Sequence, residues 1–441
     1  MSVAITETIQ ALQVVLQTVP VGTNLALLQL LWSILNGSFL PSRGAIFPSL
    51  QLSGFTASES RRSWRAMRYG IWRIDDLLLS WRKHVHDQGK WTPHRYDGYR
   101  PLAVDITAFW RPRLGGKVGQ FFHCLANRLL AGVGFALVAE VGQVDGQRLP
   151  LLRKIIRAQP REQNPDSLKA VVLSWVGRNL AADEVLIHDA GAHISDMQAA
   201  GIPRYVIRMA KNCTLRRNFL PPYRGGRPRE YGQYVRPLPR QRQGKHIPAT
   251  KPDGETTFCF QGRTVRVHYW HDLVLSTHKV ADKQETCTIF VFFDPLYQEP
   301  WLLATNVDLS PETAFRLYLD RWPVEQIPLV TKQLLGLRRQ FVFAPESCQR
   351  LPELALLAAN ILTHLAAMLP PMPTGFWDQH PKKQPAGCAG SWPGQLFPKK
   401  PLLPSNFGKS GRLPTICRRV WRRIGDENGI LDLFSGLLVA I

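Results

Sequence analysis

Apolar and polar positions over the first 95 residues follow a helical rhythm. The run 25–35 is apolar apart from positions such as Gln29. It is too short to span a bilayer and reads as a buried helix. Residues 45–52 are mostly apolar, and Ser53-Gly54-Phe55 makes a turn. Thr56, with Glu59 three residues on, forms a capping-box pattern that opens the next helix. That helix carries Arg61, Arg62, Arg65 and Arg68 beside Trp64. A helix, a glycine turn and a basic helix outline a helix-turn-helix, and make Arg61, Arg62 and Arg65 candidate DNA contacts.

From Leu102 the period shortens. Residues 102–109, 120–130 and 133–144 read as strands, the last closing on the hairpin signal Asp145-Gly146. A helix is predicted over 166–180, a strand over 184–189, a helix over 193–200 and a strand over 205–209. Pro, Gly and Arg then dominate around 224–229, before strands return at 264–270, 273–277, 286–293 and 301–305. Ser310 is expected to cap a helix that includes Glu325, and 351–368 reads as a strongly apolar helix. Residues 371–414 hold 9 Pro and 6 Gly, a low-complexity composition that predicts a largely disordered tail, with a short basic helix at 418–424. The resulting division is a helical segment 1–95, a core 96–212, a basic loop and β-rich insertion 213–305, a second core segment 306–370 and a tail 371–441. The fold class is α/β, a mixed sheet flanked by helices, with no internal repeat.

Charge sharpens this picture. The 441 residues carry a net charge of +22 and are 45% hydrophobic, ample for a sizeable core. Residues 204–251 hold 13 bases against the single acid Glu230. Such clustering points to a phosphate-tracking surface, nucleic acid before membrane, with Arg224, Arg227 and Arg229 among its contacts. Seven cysteines without a CxxC argue against a disulfide framework and fit a reducing interior. No base precedes Arg43, so no secretory n-region is seen. A cytoplasmic, nucleoid-associated protein without signal peptide or membrane span is expected.

The most informative segment runs from Tyr318 to Lys332. Tyr318, Arg321, Glu325 and Lys332 stand at offsets of 3, 4 and 7, which on one helix makes a single polar stripe of about four turns. By itself this could be an exposed Arg321–Glu325 pair. The prolines at 323 and 328 set either a helix start or a kink beside Glu325. The pattern Tyr-x2-Arg-x3-Glu-x6-Lys resembles the signature of DDE-type insertion-sequence transposases of the Tyr-Arg-Glu-Lys branch. Asp105, in a strand as Asp-Ile-Thr, resembles their first catalytic acid. Asp189, ending a strand as His-Asp-Ala-Gly, resembles the second, and Arg208-Met-Ala-Lys-Asn212 the element that follows it. The resemblance covers roughly residues 100–340, more weakly 41–95.

The resemblance implies a ribonuclease-H-like core in which Asp105, Asp189 and Glu325 are catalytic and bind two Mg2+ ions, Mn2+ substituting. Three hard carboxylates suit such ions. His188 and His193 make a zinc site conceivable, but they lack its spacing. Tyr318, Arg321 and Lys332, with Arg208 and Asn212, would hold the DNA strand. Trp301, or less favourably Trp322, would be a platform for a flipped base. The implied activity is binding of terminal inverted repeats, strand cleavage and strand transfer by a DNA-bound homodimer. The alternatives are a non-catalytic transposase-derived regulator, or a nuclease without transposition.

Overall fold

In the computed structural model, residues 3–111, 114, 119–123, 126–158, 165–223, 225–282, 285–371 and 380–386 are described. Arg224, the short helix expected at 418–424 and nearly all of the Pro-rich tail lie outside them. Five helices open the chain: α1 (Val3–Val15), α2 (Thr23–Leu35), α3 (Ile46–Leu52), α4 (Ala57–Tyr69) and α5 (Ile74–Asp87). Leu27, Leu30, Leu31 and Ile34 of α2 are fully buried, as its apolar run predicted. The α3–α4 turn is made at Gly54 with φ +85°, and Thr56 and Glu59 form the reciprocal capping box.

The strands follow as β1 (Thr92–Pro93), β2 (Arg100–Trp110), β3 (Gly119–His123), β4 (Arg128–Val144) and β5 (Gln147–Arg157). Then come α6 (Pro165–Asn179), β6 (Glu184–His188), α7 (Ile194–Ala199) and β7 (Tyr205–Met209). Next are β8 (Leu215–Arg217), β9 (Tyr234–Val235), β10 (Arg240–Arg242), β11 (Lys245–Ile247), β12 (Gly254–Phe260), β13 (Arg263–Leu275), β14 (Cys287–Phe293) and β15 (Trp301–Thr305). Helices α8 (Pro311–Leu319), α9 (Trp322–Leu329) and α10 (Pro345–Met368) complete the fold, with a π-helical turn at Val330–Leu334.

The protein is a mixed α/β fold built on one large sheet flanked by helices. Within that sheet β5, β4, β2, β6 and β7 are consecutive neighbours, β4 antiparallel to β2 and β5, while β2, β6 and β7 run parallel. The β-rich segment is continuous with this sheet: β15 pairs antiparallel with β7, and β14, β13, β8 and β9 extend it outward. Side chains alternate across it as a strand period demands. Ala103, Phe109, Leu137 and Ala139 face α9, α10 and the N-terminal helices; Leu102, Val104, Ala136 and Val138 face α6 and α7.

Several boundaries differ from expectation. The predicted strand over 120–130 is a hairpin, with β3 pairing back onto the start of β4. β5 escaped prediction: Pro150 and the Arg153-Lys154 pair interrupt its apolar alternation, and its register against β4 slips at that pair, between Val138 and Ala139. The hairpin signal held, with Asp145 and Gly146 at φ +49° and +77°. The expected helical segment holds five helices between Val3 and Asp87, yet these share one hydrophobic cluster with α10 and the sheet.

α10 is the hub. Asn360, fully buried in it, accepts from Trp81 Nε1 and Leu152 N (3.1 Å each) and donates to Pro150 O (2.7 Å). Arg157 grips the buried Glu353 through two nitrogens, at 2.5 and 2.7 Å. By length and composition α10 could cross a membrane, but its most apolar window is 94% buried inside the protein.

One turn on, His364 packs edge-on against Trp81 (5.4 Å), and burial, with the His84 and Lys90 charges, pushes it down to about 4. The unfolded chain takes that proton near pH 6.5, so between the two values it binds more protons than the folded protein. Stability should therefore fall as the pH drops from about 6.5 towards 4, by up to about 3 kcal/mol. Urea midpoints at pH 7 and pH 5 should show this, and His364→Leu should flatten the difference.

Candidate active site

Three parallel strands set the site's floor. Ala103 pairs with Ile187, and Ile187 with Val206. Two residues further on, the same count aligns Asp105, midway along β2, with Asp189, just past the end of β6, and Arg208, near the end of β7. Parity puts all three on the face covered by α8, α9 and α10, with Ala103, Ile187 and Val206. Neighbouring strands lie about 4.8 Å apart, so the two acids are brought side by side. Crevices beyond the carboxyl ends of parallel strands are where α/β sheets place their ligand sites.

Glu325 arrives from above, in the first turn of α9. Its presence registers on Asp105: burial pushes that carboxyl up to about 7, and the Glu325 and Asp189 charges add to the rise against Arg321 and His188. Asp189 goes the other way. Burial opposes ionisation there, but the His188 ring (Nδ1 to Oδ1, 3.1 Å), the Gly191 amide (2.9 Å) and Arg321 outweigh it, and its carboxyl is held well below the usual range.

The chain that carries Glu325 is not the single helix expected. Ser310 caps α8, accepting from Thr313 N at 3.1 Å, but α8 stops at Leu319, and Pro323 sits at the start of a separate helix, α9. Pro328 inside α9 is followed at once by the π-turn, since proline removes a backbone donor and crowds the preceding turn. The stripe is thus spread over two helices and a π-turn. Lys332 nevertheless reaches β2, donating to Thr107 Oγ1 (2.7 Å) over the Phe109 ring (5.2 Å). Burial pulls its ammonium down to about 8, against the attraction of Asp105.

Arg321 is buried and ion-paired with Glu325, with its guanidinium over the rings of Trp322 (4.8 Å) and Tyr318 (5.6 Å). Burial raises the Tyr318 phenol against the Arg321 and Arg208 charges, and its buried hydroxyl has no hydrogen-bond partner among the described residues. Trp301 is placed differently from the platform expected of it. It is 6% exposed and packs against Phe292, Phe315, Tyr318 and Tyr297, a core position that leaves no open face for a base. Trp322 is only half-buried. Asn212, beyond β7, is exposed, and so are Arg227, Arg229, Arg61, Arg62 and Arg65.

One group went unnoticed in the sequence. Asp320, fully buried at the break between α8 and α9, is held by His94 Nδ1 (2.7 Å), Tyr96 Oη (3.0 Å) and Arg148 Nε (3.5 Å). These partners come from more than 170 positions away in the chain, a distance at which no local pattern signals contact.

Among the described residues, no three His, Cys, Asp or Glu side chains stand as placed in a ready metal cluster. The donor types still suit a hard divalent ion: all three are carboxylates, and the Glu325 and Asp189 charges both bear on Asp105, whose rise comes first from burial. Glu325 would have to turn from Arg321 to join. No protein-family model and no curated protein matches the chain.

An acid raised from 3.8 to about 7 is more readily protonated folded than unfolded, so its stability contribution is lost as pH rises through that window. Asp105→Asn should therefore stabilise the metal-free protein at pH 8, by about 2–4 kcal/mol. The same substitution should remove any rise in melting temperature that Mg2+ gives the wild type. Thermal melts in EDTA and in Mg2+ check both.

Proposed function

We propose that the chain is a DDE-type insertion-sequence transposase with a ribonuclease-H-like core. It binds terminal inverted repeats in duplex DNA, cleaves the strands and transfers them, two copies acting together on the DNA. The observation that carries this reading is the parallel register of β2 and β6, which, extended by two residues, brings Asp105 level with Asp189, with Glu325 close enough to raise Asp105. The sheet order β5-β4-β2-β6-β7, with β4 alone antiparallel among them, supports the core assignment.

Asp105, Asp189 and Glu325 would hold two Mg2+ ions, Mn2+ substituting. When bound, these ions supply activation of the attacking oxygen and neutralisation of the leaving one. The chain's own residues do the rest. His188 and the Gly191 amide fix the Asp189 carboxylate in one orientation. Lys332 holds Thr107 and places a cation beside Asp105, where phosphate oxygens would lie. Arg321 releases Glu325 and turns its fork to the strand. Arg208, aligned with the two acids, adds a second guanidinium.

The Arg321–Glu325 pair favours one other reading: a regulator in which the acid stays permanently neutralised. Cleavage and joining of terminal-repeat DNA separate the two. Under the proposal, Asp105→Asn abolishes Mg2+-dependent nicking and leaves duplex binding within about twofold. Absence of metal-dependent nicking by the wild type on any inverted-repeat substrate would favour the regulator. Arg321→Ala should nick, then stall before second-strand cleavage, losing about 2–4 kcal/mol at that step. Equal loss in both steps would assign Arg321 to orienting Glu325 alone. Neutralising four of the arginines at 227, 229, 236, 240 and 242 should reduce the salt slope of duplex binding by about 3–4, at about 0.9 per lost phosphate contact.

A further inference from the structure

The edge of the sheet furthest from the acids carries an unusual surface. Between β8 and β9 the chain exposes Phe219 (56%), Leu220 (46%) and Tyr223 (73%) within five residues. Single exposed apolar side chains are common, but three so close, in the most basic stretch of the chain, are not explained by solubility. Pro221 and Pro222 stiffen the link between the two rings, and the Tyr223 hydroxyl donates to Gly226 O at 3.0 Å, which fixes its orientation.

Beside them lies a layered stack of arginine and tyrosine. Arg216 is pinned by the carbonyls of Ser276 (2.7 Å) and Gly232 (2.8 Å), and lies 3.8 Å from the Tyr234 ring centre and 4.8 Å from that of Tyr231. Arg236 approaches Tyr234 as well, at 5.1 Å. Arg227 and Arg229 line the open hollow beside this stack.

Arginines alone would serve a duplex, whose phosphates face outward. Exposed rings add nothing there, because a duplex hides its base faces. An unpaired strand offers both phosphates and bare base faces, and aromatic side chains interleaved with arginines match that combination. We infer that the β8–β9 edge is a binding platform for single-stranded DNA, Phe219 and Tyr223 stacking on unpaired bases while the surrounding arginines hold the backbone. This deepens the DNA-binding part of the proposed function. It rests, however, on residues five strand spacings from β6 in the sheet order, roughly 24 Å, and needs none of the acids.

The test uses fluorescein-labelled oligo(dT) and a duplex of equal length, read by anisotropy with the full chain in EDTA, so that no cleavage enters. The double variant Phe219→Ala/Tyr223→Ala should weaken oligo(dT) binding by tenfold or more, keep duplex binding within twofold, and leave its salt slope unchanged. Tyr223→Phe, which keeps the ring and loses only the bond to Gly226, should stay near wild type for oligo(dT). Equal losses on the two probes, or no loss on oligo(dT), would overturn the platform. Tighter binding of oligo(rU) than of oligo(dT) would overturn its assignment to DNA. A protein that fails to cleave but passes this test would sink the proposed reaction and leave the platform standing.

Discussion

The parallel pairing of β2 with β6 is the constraint on which the site depends. A parallel pair fixes which residues lie level and which face they share, and a slip of one position would send every side chain to the opposite face. With Ala103 level with Ile187, the acids at 105 and 189 end level too. The same row continues through Val206 to Arg208 on β7. Only Asp189 leaves the strands, by one residue, and the Gly191 amide of the following turn holds its carboxylate. Burial then does the chemical work: it raises Asp105, lowers the Lys332 ammonium to about 8 and strengthens the attraction between the two.

The second constraint is the junction of α8 and α9. A carboxylate with no exposed surface, Asp320, sits where the chain leaves one helix and enters the next. His94 and Tyr96, on the segment that leads into β2, and Arg148 on β5 hold it. Arg321 follows immediately, and Glu325 one turn later. Loss of one partner from such a buried group leaves an uncompensated charge, which is costly, so the junction has little freedom to drift.

What could be read from the sequence was whatever is local or whatever carries a chemical signature. The alternation of 102–109, the Asp145-Gly146 turn, the Thr56–Glu59 box and the acids in a strand at 105 and after one at 189 all depend on neighbours within a few residues. The α8–α9 break was only half legible: Pro323 marks a helix start, but nothing nearby shows that Asp320 is fastened to His94. β5 was hidden because its polar residues find partners far away, Arg153 with Glu184 and Arg157 with Glu353. Trp301 shows the converse. Its residue type suited a stacking platform, and only the rings around it, from β14 and α8, place it in the core.

The position of α10 in the chain has a consequence for how the protein comes to be made. The five opening helices bury their apolar faces against a helix that begins at Pro345. During synthesis those faces emerge long before their partner does, and at ~5–20 residues per second the wait is on the order of tens of seconds. When α10 appears it is, by its residues, an acceptable membrane span until the earlier helices close over it. The nascent chain thus presents two sticky surfaces in succession, each the other's remedy. Cellular yield should accordingly be governed by chaperone supply and translation speed more than by the stability of the finished fold.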